Sequence, residues 1–169
     1  MRDFGRRDHL NWVHLERIRA RWPGKLVVKG VMHPDDALRV HDVGADGLIV
    51  SNHGGRQLDG TMSPLSALPA IVGRVGNKTA VMIDGGFRRG THVIKAIALG
   101  ARFVFVGRPF LYAAVASGSP GILKAIDILK TEIHQNMALL GAVALDDIDG
   151  SFVVCRDRDS AVSASGSVK

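Results

Sequence analysis

Residues 51–60 read SNHGGRQLDG and place His53 three positions before Arg56, with Gly54 and Gly55 between them. Imidazole accepts a proton near neutral pH, so His53 is a candidate general base. Guanidinium is a permanent, planar fork that matches a carboxylate, so Arg56 is a candidate anchor for an acidic substrate. Two residues without side chains leave room for a ligand to lie flat beside that pair. A metal ion is not the expected occupant, because no second His, Cys or carboxylate stands at ligand spacing.

Three other stretches could do chemistry. Lys29 closes the apolar run KLVVKG. There it could form a Schiff base with a carbonyl compound, or stand as a fixed cation beside a developing anion. DGGFRRG (84–90) and VGRP (106–109) form the other two. Glycines admit backbone N–H groups close to an anion, and the helix N-terminus that follows attracts one. Arg88 or Arg89, with Arg108, could fork onto phosphate oxygens.

These residues need a scaffold. KLVVKG (25–30), GLIVSN (47–52), AVMIDGG (80–86) and FVFVGR (103–108) are short, nearly continuous apolar runs that read as strands covered on both faces. HPDDALRVHDVG (33–44), SPLSALPAIVGRVG (63–76) and RGTHVIKAIALG (89–100) between them read as helices, with Pro69 expected to kink or delay the second. Before the first strand, Trp12, Leu15, Ile18 and Trp22 form one helical stripe. After the last, Ile122, Ile126, Leu129, Ile133, Met137 and Leu140 form another, on a helix expected from Pro120. VGADGLIVSN and LGARFVFVGR are a faint internal repeat, and repeated β-α units mean α/β architecture. Strand and helix order alone suits a doubly wound sheet as well as a barrel. The chemistry-bearing residues all sit at strand C-terminal ends, the face where TIM-barrel active sites collect, and this favours the barrel. Phosphate sites in such barrels follow strands seven and eight, so four strands ending in DGGFRRG and VGRP read as a C-terminal half-barrel closed by a helix.

Composition sets outer limits. The 169 residues are 46% hydrophobic and 22% charged, ordinary for one domain, spanning residues 1–156. The tail 157–169 is small and polar, and reads as disordered. A single cysteine, Cys155, excludes an internal disulfide and suits a reducing cytoplasm. The net charge is +6, with Arg2, Arg6, Arg7, Arg17, Arg19, Arg21 and Lys25 crowding the start, where a solvated helix face is the simplest reading. No nucleic-acid motif accompanies that charge, and one Tyr and two Trp offer little for base stacking.

SNHGGRQLDG, followed by DGGFRRG, ALGA and VGRPFLYA and preceded by VVKG, resembles the FMN-dependent α-hydroxy acid dehydrogenases and oxidases, over roughly residues 10–150. That family includes L-lactate dehydrogenase, mandelate dehydrogenase and glycolate oxidase. The resemblance implies FMN as cofactor, a small 2-hydroxy acid as substrate, and a quinone, cytochrome or oxygen as electron acceptor. It implies that His53 is the base beside the flavin and that Arg56 holds the substrate carboxylate. Lys29 would lie against the N1/O2 edge of the flavin, and Ser51 would contact it. Asp84, Gly85, Gly86 and Arg88 would hold ribityl and phosphate, and Gly107 and Arg108 would complete the phosphate cup.

Members of that family have about twice this length, because the barrel has eight strands. The residues that wall the flavin from the other side, and an aspartate that orients the base, would lie in the missing half. A half-barrel leaves two sheet edges and an apolar inner face bare. The chain would then be a fragment, pair with a separate N-terminal half, or associate with itself. The competing readings are a non-catalytic phosphate- or flavin-binding barrel remnant or interaction module, and a sugar-phosphate lyase or isomerase using Lys29 as a Schiff base. A membrane association of the kind found in the family stays open.

Overall fold

A computed structural model describes residues 10–154. The tail, the boundary at residue 156, Cys155 and the first three arginines lie outside the described residues. The elements alternate: α1 (Trp12–Arg21), β1 (Val27–Val31), α2 (Pro34–Asp42), β2 (Gly47–Val50), α3 (Pro64–Val75), β3 (Ala80–Ile83), α4 (Gly90–Ala98), β4 (Phe103–Val104) and α5 (Arg108–Leu140). Local chemistry starts the helices. Pro34 follows a His33 cap with Asp35 and Asp36 in the first turn of α2, and Pro64 follows a Ser63 cap that accepts the Ser66 N–H.

The strands form one parallel sheet in the order β1-β2-β3-β4. Parallel crossovers are right-handed, so a chain that always steps the same way along the sheet puts every connecting helix on one face. A doubly wound sheet reverses direction, and these strands do not. Val28, Leu48, Val50, Val81, Ile83 and Val104 point to the helix-covered face and build the core with Val40, Leu68, Ile71 and Val75. The other face carries the register row Lys29, Ile49, Met82 and Phe103, and it has no helix over it. Phe103 is 55% exposed and Phe105 40%. This is the concave side of a partial α/β barrel, seen without its opposite wall.

Several expectations change in detail. Helix α3 begins at Pro64 and runs through Pro69 without a break, so the expected kink or delay is absent. Pro69 is solvent-exposed, so its ring displaces nothing in the core. The closing helix starts at Arg108 rather than Pro120. It breaks at Ser117 and Gly118, where Gly118 has φ 56° and Pro120 restarts the helix without needing a backbone donor. The stripe on α1 is only partly used: Trp12 packs against the core beneath Arg39, 4.3 Å from its ring centroid, while Ile18 and Trp22 are exposed. Strand β4 is two residues long because only β3 pairs with it, although the Phe105 N–H still donates to the Ile83 carbonyl at 2.8 Å.

Candidate active site

All four loops at the strand C-terminal ends converge. The loop after β2 turns sharply: His53, Gly54 and Gly55 have φ of 57°, 65° and 75°. Glycine takes the left-handed region freely, whereas a histidine there costs about 1–2 kcal/mol. The surrounding groups impose it. The buried Ser51 Oγ accepts the His53 N–H at 3.1 Å, and Asn52 Oδ1 accepts the Gly54 N–H at 3.0 Å. Asn52 Nδ2 donates across the loop to the Met62 carbonyl at 3.4 Å. From the start of α5, Arg108 Nη2 donates to the Gly54 carbonyl at 2.7 Å.

This turn sets His53 on a ridge between two hollows. One, of about 300 Å³, is lined by His53, Arg56, Asp84, Gly85, Gly107 and Arg108. The other, of about 550 Å³, is lined by Lys29, Ser51, His53, Gln57 and Met62. The structure therefore brings nearly all the candidate residues to one place. Gly86 and Arg88 line neither hollow. Arg88 instead borders a smaller one with Val106, Pro109 and Phe110, and its backbone N–H donates to His92 Nδ1 at 3.3 Å.

Lys29 reaches across β2 to an ion pair with Asp84 at the end of β3. A bulge at Gly30, where the β1 register shifts between Lys29 and Val31, leaves Lys29 on the concave face and turns Val31 into the core. An ammonium held by a carboxylate offers protons, not a lone pair, so the pairing suits a fixed cation better than a Schiff-base nucleophile. The second carboxylate oxygen, Asp84 Oδ1, is buried and has no hydrogen-bond partner among the described residues. Burying an acceptor without a donor costs about 1–3 kcal/mol, so this position calls for a donor from a ligand.

The arginines sort by partner. Arg89 Nε pairs with Glu132 of α5 at 2.7 Å, and the same carboxylate accepts the Gly90 N–H at 2.6 Å. Glu132 therefore closes the N-terminus of α4, and its carboxylate offsets the charge of Arg89. The Gly90 N–H is the main group holding the Glu132 carboxyl below its usual range, against the cost of partial burial, and Arg89 adds its hydrogen bond and charge. Arg56 and Arg108 have no carboxylate partner among the described residues.

Asn52, Gln57 and Glu132 were not among the sequence candidates. Asn52 carries a local signal, an Asn before glycines in a turn. Gln57, whose Nε2 lies 3.4 Å from His53 Nδ1, stands inside the same stretch. Glu132 is far along the chain from Gly90, and nothing in the sequence links the two.

The family profile described as FMN-dependent dehydrogenase matches residues 2–155. The chain is 47% identical over 149 residues to an L-lactate dehydrogenase of Caulobacter sp., covering 88% of this chain and 39% of that protein. It is 47% identical over 144 residues to an L-lactate oxidase of Nostoc sp., covering 85% and 40%. Among solved structures, a soluble mutant of the membrane-associated (S)-mandelate dehydrogenase from Pseudomonas putida superposes with a TM-score of 0.81 at 42% identity, covering 84% of this chain and 40% of that one. A monotopic membrane (S)-mandelate dehydrogenase superposes with a TM-score of 0.83 at 41% identity, covering 87% and 39%. The chain thus spans about two fifths of the length of the relatives it matches.

Proposed function

The chain belongs to the FMN-dependent α-hydroxy acid dehydrogenase family, and from that premise we propose that it forms the catalytic C-terminal half of an enzyme oxidising a small L-2-hydroxy acid, of lactate or mandelate type, to the 2-oxo acid. The observation that carries this reading is the convergence of His53 and Arg56 on one cavity, with Asp84 Oδ1, which has no hydrogen-bond partner among the described residues, and Arg108, which has no carboxylate partner among them, on its walls. The residues fit the cofactor. Asp84 Oδ1 needs a hydroxyl donor, which a ribityl chain has. An added Cβ at Gly107 would meet nothing within 4 Å, so a phosphate could approach its backbone. Arg108 is a half-buried cation in want of an anion.

Lys29, Ser51, Asp84, Gly85, Gly107 and Arg108 would hold FMN, with Gly86 and Arg88 at the outer margin of the loop. When bound, FMN supplies the two-electron acceptor. Arg56 binds the substrate carboxylate through its fork and so fixes which side of the hydroxy acid faces His53. Oxidation of the alcohol to the ketone releases two electrons and two protons; His53 takes one of those protons, and the other would leave with the two electrons to the cofactor. Its Nδ1 faces Gln57, and Nε2, which has no protein partner among the described residues, is the accepting atom. Lys29 places positive charge on the concave face, where it would stabilise negative charge developing on the reduced cofactor.

The bare edges of β1 and β4 and the uncovered concave face call for four further strands, from a longer chain, a separate half or a second copy. Those strands would exclude water from the site. Electrons would leave to oxygen, a quinone or a cytochrome. No helix among the described residues is long and apolar enough to cross a membrane. We propose a cytoplasmic location, which the single cysteine suits, with membrane association of the kind named for the (S)-mandelate dehydrogenase neighbour as the alternative.

The test is anaerobic flavin reduction by L-lactate or L-mandelate, with FMN and the covering half supplied. His53→Ala should bind FMN and leave it oxidised. Flavin that is bound but never reduced in the unaltered protein would defeat the catalytic reading. It would leave the second one, a flavin- or phosphate-binding remnant, which the open concave face favours.

A further inference from the structure

Arg108 joins two parts of the site that the chain builds separately. It is the first residue of α5, and the loop it reaches lies 54 positions earlier. Its contact, the Gly54 carbonyl, belongs to the residue next to His53. Ser51 and Asn52 hold N–H groups of the His53–Gly55 turn, whereas Arg108 holds one of its carbonyls. The left-handed run His53–Gly54–Gly55 is unfavourable at its histidine and must be imposed from outside. The carbonyl uses one of five guanidinium donors, and the cation is half-buried without a carboxylate beside it. The side chain also lines the 300 Å³ hollow with Gly85 and Gly107.

We propose that Arg108 is a positioning residue for His53: one edge of its guanidinium holds the Gly54 carbonyl while another takes the phosphate of the flavin, so the anion's arrival stiffens the turn that carries the base. This rests on the FMN-binding reading of the site. An anion at the free donors pins the guanidinium plane, and a pinned plane fixes the directions in which the Nη2 hydrogens can point. Lysine at this position keeps the charge but is a point donor, and it cannot hold two acceptors in fixed relative geometry.

The experiment follows the backbone amides of His53, Gly54 and Gly55 by NMR in the ¹⁵N-labelled chain, with the covering half supplied unlabelled. Inorganic phosphate, FMN and phosphate-free riboflavin are added in turn. Phosphate and FMN should each shift these amides and slow their hydrogen exchange about tenfold, which is about 1.4 kcal/mol. Riboflavin should not slow it. In Arg108→Lys, phosphate should still bind but the loop response should vanish, and Arg108→Gln should lose both. Unchanged amides of Leu48 and Val81 report that each variant is folded. The proposal falls if Arg108→Lys responds as the unaltered protein does, if riboflavin protects the loop as well as FMN, or if phosphate binds without moving these amides. If FMN binds and is reduced but the loop ignores Arg108, only this inference falls. If neither phosphate nor FMN binds, the FMN reading falls with it.

Discussion

His53 occupies a backbone conformation that its own Cβ opposes, and substitutions there should separate the cost of that conformation from its use. At φ 57°, any residue with a Cβ pays about 1–2 kcal/mol, and glycine pays almost none of this. Against that, glycine gives the unfolded chain extra freedom worth about 0.4–1 kcal/mol. His53→Ala and His53→Gly both remove the ring, which is exposed, so lost packing is small and nearly equal in the two. The difference between them isolates the backbone. His53→Gly should be more stable than His53→Ala by about 0.5–1 kcal/mol, a rise in melting temperature of about 1–4 °C for a chain of this size. Both should lose at least about 10²-fold in the rate of flavin reduction once the site is complete, as expected for loss of a general base. Urea midpoints and stopped-flow flavin absorbance measure the two effects separately. If His53→Ala equals or exceeds His53→Gly in stability, the left-handed turn is not imposed on the folded protein. If either variant reduces flavin at the normal rate, the imidazole is not the base.

Glu132→Gln should weaken the closure of α4 by about 1 kcal/mol, read from urea midpoints at pH 7. Because the folded state holds this carboxyl below its usual range, its contribution is present above the ordinary carboxylate pKa and disappears as pH falls through the folded value. The variant should therefore lose less stability than the parent on acidification from neutral pH. Asp84→Ala removes both the Lys29 partner and the buried acceptor, and should weaken FMN binding at least about tenfold in a fluorescence-quenching titration. Gly85→Ala would force a Cβ to 3.0 Å from Pro64 Cγ and 3.2 Å from Asn52 Oδ1 at φ 97°, and should cost about 1–3 kcal/mol in thermal denaturation.

Much of the architecture is visible in local pattern. The four apolar runs are strands, the three segments between them are helices, and Pro34 and Pro64 start theirs as a proline in the first turn should. These features depend on neighbours a few residues apart, which a linear reading can weigh. The same reading misjudges Pro69, because whether a proline harms a helix depends on which face its ring takes, and that face is set by the core. It also starts the last helix at Pro120, since nothing in VGRPFLYAAV announces a helix that breaks and resumes.

The amino-acid order by itself determined which residues could be base, anchor, cation and anion cradle, because those capacities belong to side-chain chemistry and to the absence of a side chain at glycine. The tertiary structure alone decided how they are paired. It put Lys29 against Asp84 across an intervening strand, spent Arg89 on Glu132, and brought Arg108 to the Gly54 carbonyl. It also resolved barrel against doubly wound sheet, through a strand order that never reverses. Partners tens of residues apart meet only after the crossovers have folded, and an electrostatic or hydrogen-bonded contact depends on distance in space, to which separation along the chain is no guide.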